Sequence, residues 1–146
     1  MTTSIEYNQK QFATFTVGNL LFGIPVHEVQ EILRYQNLTP VPLSSPIIKG
    51  LLNLRGQIIT AIDMRKRLSV PEEVPDQHCM NVIIDSEDQR ISLVVDAVGD
   101  VLELEPSAFE PLPATVNADL RNLSKGVYKL TDKVLLVLNT RAALEF

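Results

Sequence analysis

Short apolar runs broken by turn residues dominate the hydrophobic pattern of this chain. FATFTV and LLFGIPV flank Gly18-Asn19, a pair that tolerates positive φ and so predicts a two-residue hairpin. Next, VHEVQEIL places Val26, Val29, Ile32 and Leu33 at helical intervals and predicts one or two helical turns. Pro40, Pro42 and Pro46 then hold the chain in an extended, irregular crossing. GLLNL and IITAI, joined through Arg55-Gly56-Gln57, predict a second hairpin, and MRKRL a short helix that closes it. No run reaches the ~18 apolar residues of a bilayer-spanning helix; VLLVL (Val134–Leu138) is strand-sized.

The pattern occurs twice. FGIPVHEVQEIL (Phe22–Leu33) laid on ISLVVDAVGDVL (Ile91–Leu102), 69 positions on, matches Val26 with Val95, Val29 with Val98, Leu33 with Leu102 and Glu31 with the acid Asp100. GLLNLRGQIITAIDMRKRL (Gly50–Leu68) laid on GVYKLTDKVLLVLNTRAAL, 76 positions on, pairs Gly50, Leu54, Arg65 and Leu68 with Gly126, Leu130, Arg141 and Leu144. The seven residues between the two offsets fall in ELEPSAFEPLPATVNADLRNLSK. A duplicated unit of hairpin, short helix, proline-rich crossing and hairpin follows. About five short strands per unit at this spacing predict two small β-barrels.

One domain is expected over residues 10–146, with a first unit near 12–70, a second near 78–146 and a flexible N-terminus over 1–10. A barrel of ~60 residues buries too little surface to stand comfortably alone, so the two units are expected to share a hydrophobic core. Their seam forms a groove, the natural place for a partner.

Composition narrows the partner. A net charge of −5 argues against nucleic acid and anionic lipid, which rely on clustered Lys and Arg. The basic run Arg65-Lys66-Arg67 reads as the solvated end of an element. With Cys79 as the single cysteine, no internal disulfide forms, and MTTSIEYNQK lacks the pattern of a signal peptide; a cytoplasmic, soluble protein is expected.

A search for chemistry returns little. His27 reads as a surface imidazole, and His78-Cys79 lacks the spaced companions of a zinc site. DSEDQ (Asp85–Gln89) reads as an acidic hairpin loop without the glycine and terminal glutamate of a calcium loop. No nucleophile elbow, P-loop or dinucleotide fingerprint is present. Among Asp63, Asp96 and Asp100, Asp96 falls at a predicted helix start, where capping explains it, and Asp100 on the far face of that helix. No catalytic set, metal or cofactor is expected. Proline-rich peptides and single-stranded nucleic acids need exposed aromatic rings, whereas this chain has no Trp and most of its Phe lie within apolar runs. What remains is aliphatic: Val29, Ile32, Val41, Leu43, Val98 and Val101, a surface suited to helices and other barrels.

Arg55 stands out against the repeat. The second hairpin has Lys129-Leu130-Thr131-Asp132 where the first has Asn53-Leu54-Arg55-Gly56, so only the leucine is common. Arg55 is either a solvated turn residue or a fork of five donors, paired with Glu31 or gripping a partner's carboxylate.

FTVGNLLFGIPVHEVQEIL, IIKGLLNLRGQIITAIDMRKRL, ISLVVDAVGDVLEL and GVYKLTDKVLLVLNTRAAL together resemble the CheW family, the coupling proteins of bacterial chemosensory arrays. The resemblance runs from about Phe12 to Leu144, and its specific part joins V-x-E-I-L to K-G-x-x-N-L-R-G-x-x-x-x-x-x-D-x-R. It implies a mainly β fold: two SH3-like five-stranded barrels packed around a shared hydrophobic core, with short helices. It implies a non-enzymatic adaptor joining the cytoplasmic helical hairpin tip of chemoreceptors to the regulatory domain of the histidine kinase CheA.

Val29, Gly50, Val101 and Gly126 match positions the family associates with receptor coupling, Glu31 and Arg55 its paired charges, and Val98 joins them on the aliphatic surface. Gly50 and Gly126 each either take positive φ or permit close backbone approach. The kinase contact is expected around Val41, Leu43 and Ile47. A ring-closing surface falls near Glu110–Thr115, where Thr115 replaces the aromatic residue of some relatives. The competing readings are an adaptor of a related array controlling pili or another output, a small peptide- or ligand-binding barrel, and a hydrolase or transferase on a barrel scaffold.

Overall fold

In the computed structural model, which describes residues 11–70, 78–86 and 88–146, the first two apolar runs form the hairpin β1 (Gln11–Val17) and β2 (Leu20–Pro25). The expected N-terminal segment 1–10 lies outside the described residues. A 3-10 turn over Val26–Glu28 leads into strand β3 (Val29–Arg34), which corrects the helix expected over Val26–Leu33.

The cause is a β-bulge. β3 pairs with β6 (Met80–Ser86), and the register slips between Val29 and Glu31. The extra residue puts Val29 and Ile32 on one face, three positions apart, so a bulged strand imitates helical spacing. Asp96 follows β7 (Gln89–Val95) at a bend, and Asp100 lies within β8 (Ala97–Glu103), so neither belongs to a helix.

The second hairpin, β4 (Ile48–Leu54) and β5 (Gln57–Asp63), ends in the short helix α1 (Met64–Arg67). Its counterpart follows α2 (Ala118–Leu123) and comprises β9 (Ser124–Lys129), β10 (Val134–Leu138) and α3 (Thr140–Ala143). Asp63 caps α1 by accepting from the Lys66 N–H at 3.2 Å, and Asn139, 76 positions on, caps α3 by accepting from Ala142 at 3.1 Å.

The fold is mainly β, in two five-stranded sheets ordered β8-β1-β2-β10-β9 and β3-β6-β7-β5-β4. These do not coincide with the two halves of the chain. Each sheet takes two strands from one half and three from the other, so the duplicated units are interleaved.

Pairing follows the repeat closely. Phe22 lies opposite Leu136 and Ile91 opposite Thr60; Phe15 opposite Val98 and Ile84 opposite Val29; Gly126 opposite Val137 and Gly50 opposite Ala61. The bulge in β3 recurs at the matching place in β8. Isolated bridges Thr39–Leu51 and Glu110–Val127 divide the seven-residue insertion: Thr39 and Glu110 are 71 apart, leaving two residues before the bridge and five after it.

Apolar residues sort into layers. A central cluster between the sheets includes Phe15, Phe22, Ile24, Ile62, Leu93 and Leu136, drawn from both halves. Each sheet also curls around a cluster of its own. Leu33 on β3 and Leu54 on β4 sit at opposite edges of one sheet, yet both pack on Leu52, Ile59 and Ile83. Phe12, Tyr128, Leu135 and Val137 fill the other curl. The edge strands β3 and β4 are not hydrogen-bonded neighbours, so each barrel is an open curl and not a closed cylinder.

Candidate functional site

The expected receptor residues separate by burial. Val29 and Val98 are half-buried against the central cluster, which accounts for their apolar character. Ile32 and Val101, at matching positions of β3 and β8, are 41% and 56% exposed. Ile32 lies opposite Val82 and Val101 opposite Ala13, both members of the central cluster. Cross-strand partners share a face of a sheet, so both residues extend the shared core into solvent at its margin.

Two residues the sequence reading missed do the same. Ile58 on β5 and Val134 on β10 are 60% and 47% exposed, stand 76 positions apart, and alternate with Ile62 and Leu136 of the central cluster. The repeat could have flagged them, since both halves keep an aliphatic residue just after the turn.

Glu31 and Arg55 meet across the open edge of the curl. Arg55 Nη2 and Nη1 donate to the two carboxylate oxygens of Glu31, the latter contact at 3.3 Å. Glu31 lies opposite Ile83, on the concave side, and Arg55 follows Leu54 at the hairpin tip. The bidentate pair therefore straps β3 to the β4–β5 turn over the Leu52–Ile59–Ile83 cluster. The Arg55 hydrogen bonds hold the Glu31 carboxyl below its ordinary value of 4.5, aided by the charges of Arg55 and Arg90. Arg90 donates to Asp85 at 3.0 Å and to Gln57 at 3.3 Å.

The tip itself uses its polar residues. Arg55 and Gly56 have φ of +50° and +86°, a turn with both central residues left-handed, and Gly56 N–H donates to Asn53 Oδ1 at 3.0 Å. Asn53 and Gly56 thus serve the turn, although the repeat shares only the leucine between them. The second hairpin closes between Lys129 and Val134 over four residues, against two between Leu54 and Gln57, and none of the four takes positive φ, so it needs neither Gly nor Asn.

Gly50 and Gly126 are buried, with φ outside the left-handed region. A Cβ at Gly50 would sit 2.9 Å from the Thr39 carbonyl oxygen, and one at Gly126 2.6 Å from that of Glu110. Both glycines let the crossing segment bridge the outer strand, so they shape the site from beneath it.

Around the expected kinase face, Leu43 is fully exposed at φ +62°, Val41 is half-buried, and Ile47 packs on the central cluster. A bulky side chain held left-handed in solvent costs the free protein about 1–2 kcal/mol of backbone preference. Near the expected ring-closing surface, Arg121 gathers the carbonyls of Pro113, Ala114 and Val116 at 3.1–3.3 Å.

The basic run is structural. Arg65 donates to both oxygens of Asp96 at 2.8 and 2.5 Å, and the Gly18 N–H donates to the same carboxylate at 2.7 Å. Arg67 donates to the carbonyls of Ala142, Ala143 and Glu145. Both arginines tie first-half α1 to the second half, which corrects the reading of a solvated end; Lys66 alone is exposed.

Elsewhere, an open pocket of about 340 Å³ is lined by Phe12, Pro25, His27, Phe109, Lys125 and Tyr128, among others. Burial pushes the Tyr128 phenol above its ordinary value.

Residues 11–145 match the family model described as the CheW-like domain. The chain is 32% identical over 146 residues to the chemotaxis protein CheW of Bacillus subtilis (strain 168), covering 99% of this chain and 92% of that one. It is 29% identical over 130 residues to CheW of Klebsiella aerogenes, covering 89% and 78%. Among solved structures it is similar to the scaffolding protein TtCheW from Thermoanaerobacter tengcongensis, with a TM-score of 0.87, 27% identity and 94% of each chain covered.

Proposed function

The chain belongs to the CheW-like domain family, and on that premise we propose that it is a non-enzymatic chemotaxis adaptor of the cytoplasm, holding chemoreceptors and the kinase CheA in register. The observation that carries the receptor half of this reading is the aliphatic margin of the central seam: Ile32, Ile58, Val101 and Val134 stand in water on faces that are otherwise core. Burying each contributes roughly 1 kcal/mol, enough for a weak contact that gains strength by repetition in an array. An amphipathic helix from the receptor's hairpin tip supplies the matching stripe.

Leu43 supports the kinase half. Its exposed, left-handed side chain is costly in isolation and is accounted for by insertion into a partner, here the regulatory domain of CheA. Val41 flanks it, whereas Ile47 contributes through the core.

Capture by immobilised CheA regulatory domain and by a receptor signalling-tip fragment, measured separately on the full chain, tests both contacts. Leu43→Asp is expected to abolish the first and Val101→Asp the second. Arg55→Ala is expected to weaken receptor capture without changing the melting temperature. Val29→Asp is a poor probe, because Val29 is half-buried against the central cluster and a carboxylate there also disturbs packing. Wild-type protein captured by neither partner would overturn the proposal.

A further inference from the structure

The curl built on Phe12, Tyr128, Leu135 and Val137 carries the open pocket of about 340 Å³, and the repeat supplies its comparison. Three rings line it: Tyr128 meets Phe12 edge-on at 5.5 Å between centroids and Phe109 at 5.4 Å. None is aromatic in the first half, where Asn81, Leu38 and Leu52 stand at the positions matching Phe12, Phe109 and Tyr128. Pro25 and Val137 also line the pocket, and their counterparts Val94 and Ala61 pack with Leu38 and Cys79 into a buried cluster. Matching positions therefore pack together in one half and line a cavity in the other.

Charge follows the same contrast. Lys49 and Lys125 are the extra residues of matching bulges in β4 and β9, which takes both out of the strand's alternation. Lys49 Nζ lies 3.6 Å from Asp63 Oδ2. At the matching place the second half has Asn139, a neutral cap, and Lys125 forms no ion pair among the described residues. His27 and Glu28 also line the pocket, and Glu28 accepts from the Thr140 hydroxyl at 3.2 Å. One unpaired ammonium beside three rings suits a monoanion, whereas the second charge of a phosphate would face Glu28.

We propose that this pocket binds a small aromatic carboxylate, its ring among Phe12, Phe109 and Tyr128 and its carboxylate on Lys125. The volume lies near the lower end of small-molecule sites, roughly 300–1,000 Å³, and so admits one or two rings. None of the lining residues belongs to the faces assigned to receptor or kinase.

Indole-3-acetate, titrated into the full chain, is the probe. The chain has no Trp, so indole fluorescence polarisation reports the ligand alone. The expected dissociation constant is roughly 0.1–1 mM for a ligand this small. Indole-3-acetamide, equal in shape and uncharged, should bind about threefold more weakly, the ratio one exposed ion pair supplies. Lys125→Met should remove that preference and leave the amide's affinity in place. Asn139→Asp should do the same, because it restores the first-half pair and keeps the cap of α3. Phe109→Ala should weaken both ligands about fivefold. In the wild type, nuclear Overhauser effects should join the indole protons to Phe109 and Tyr128. The proposal is overturned by no saturable binding at several millimolar, by equal affinity for acid and amide, or by an acid preference that survives Lys125→Met. Overhauser effects confined to residues outside the lining overturn it as well.

Discussion

Two arginine–carboxylate pairs in this protein have the same bidentate chemistry and opposite expected consequences. Asp96 accepts three hydrogen bonds, two from Arg65 and one from the Gly18 N–H, with side chains of the ion pair 14% and 15% exposed. It thereby joins the β7–β8 bend, α1 and the β1–β2 turn, elements of both halves.

Asp96→Ala removes these bonds at once and leaves a guanidinium and an N–H short of a partner where water has limited access. Charge-assisted bonds of this kind contribute roughly 1.5–3 kcal/mol, and truncating one member of a buried pair costs about 3–5 kcal/mol. Allowing for residual exposure, the expected loss is about 2–3 kcal/mol, a fall in melting temperature of about 6–10 °C for a chain of this size.

Urea denaturation, with the midpoint falling and the m-value unchanged, is the direct assay. Asp96→Asn, which keeps acceptor shape but not charge, should lie between. Arg55→Ala, by contrast, should leave the midpoint in place. A loss under about 0.5 kcal/mol for Asp96→Ala, the range of ordinary surface substitutions, would refute the claim that this joint holds the halves together.

Further expectations follow from the geometry already described. Gly50→Ala and Gly126→Ala each push a Cβ into a backbone carbonyl, and each should cost about 1–3 kcal/mol by denaturation; a neutral result would mean that the crossing segment is free to move. The Glu31 carboxyl, followed by NMR, should titrate below 4.5 and move upward in Arg55→Ala. Because its folded value is depressed, the pair's contribution is present above the ordinary value and fades as pH drops through the folded one. A Glu31 titration unchanged between wild type and Arg55→Ala would show that the strap is absent in solution. Leu43→Gly relieves a left-handed backbone and should raise stability slightly while lowering CheA capture; a fall in stability would make Leu43 part of the fold.

Much of the fold was legible along the chain. The hairpins at Gly18-Asn19 and Arg55-Gly56, the short helix after β5 and the two offsets of the repeat all reappear in the structure. These are local signals: turn chemistry, caps and alternation act over a few residues. The helix expected over Val26–Leu33 was misread because a bulge gives a strand three-residue spacing, and a bulge is decided by the partner strand. Of the candidate residues, a Glu31–Arg55 pair was one of the alternatives their types left open and the one the family resemblance implied, while the exposed Ile58 and Val134 escaped notice because an apolar residue in a strand reads as core.

The sequence by itself determined the duplication, the mainly β content and the family, since each is written in spacing and residue type. Tertiary structure alone decided which half contributes each strand, that Arg65 and Arg67 brace the two halves, and which valines face water. Strand exchange leaves local propensity untouched, because a strand has the same period in either sheet. The choice lies in burial of the central cluster, whose residues come from both halves and meet only when the chain is folded.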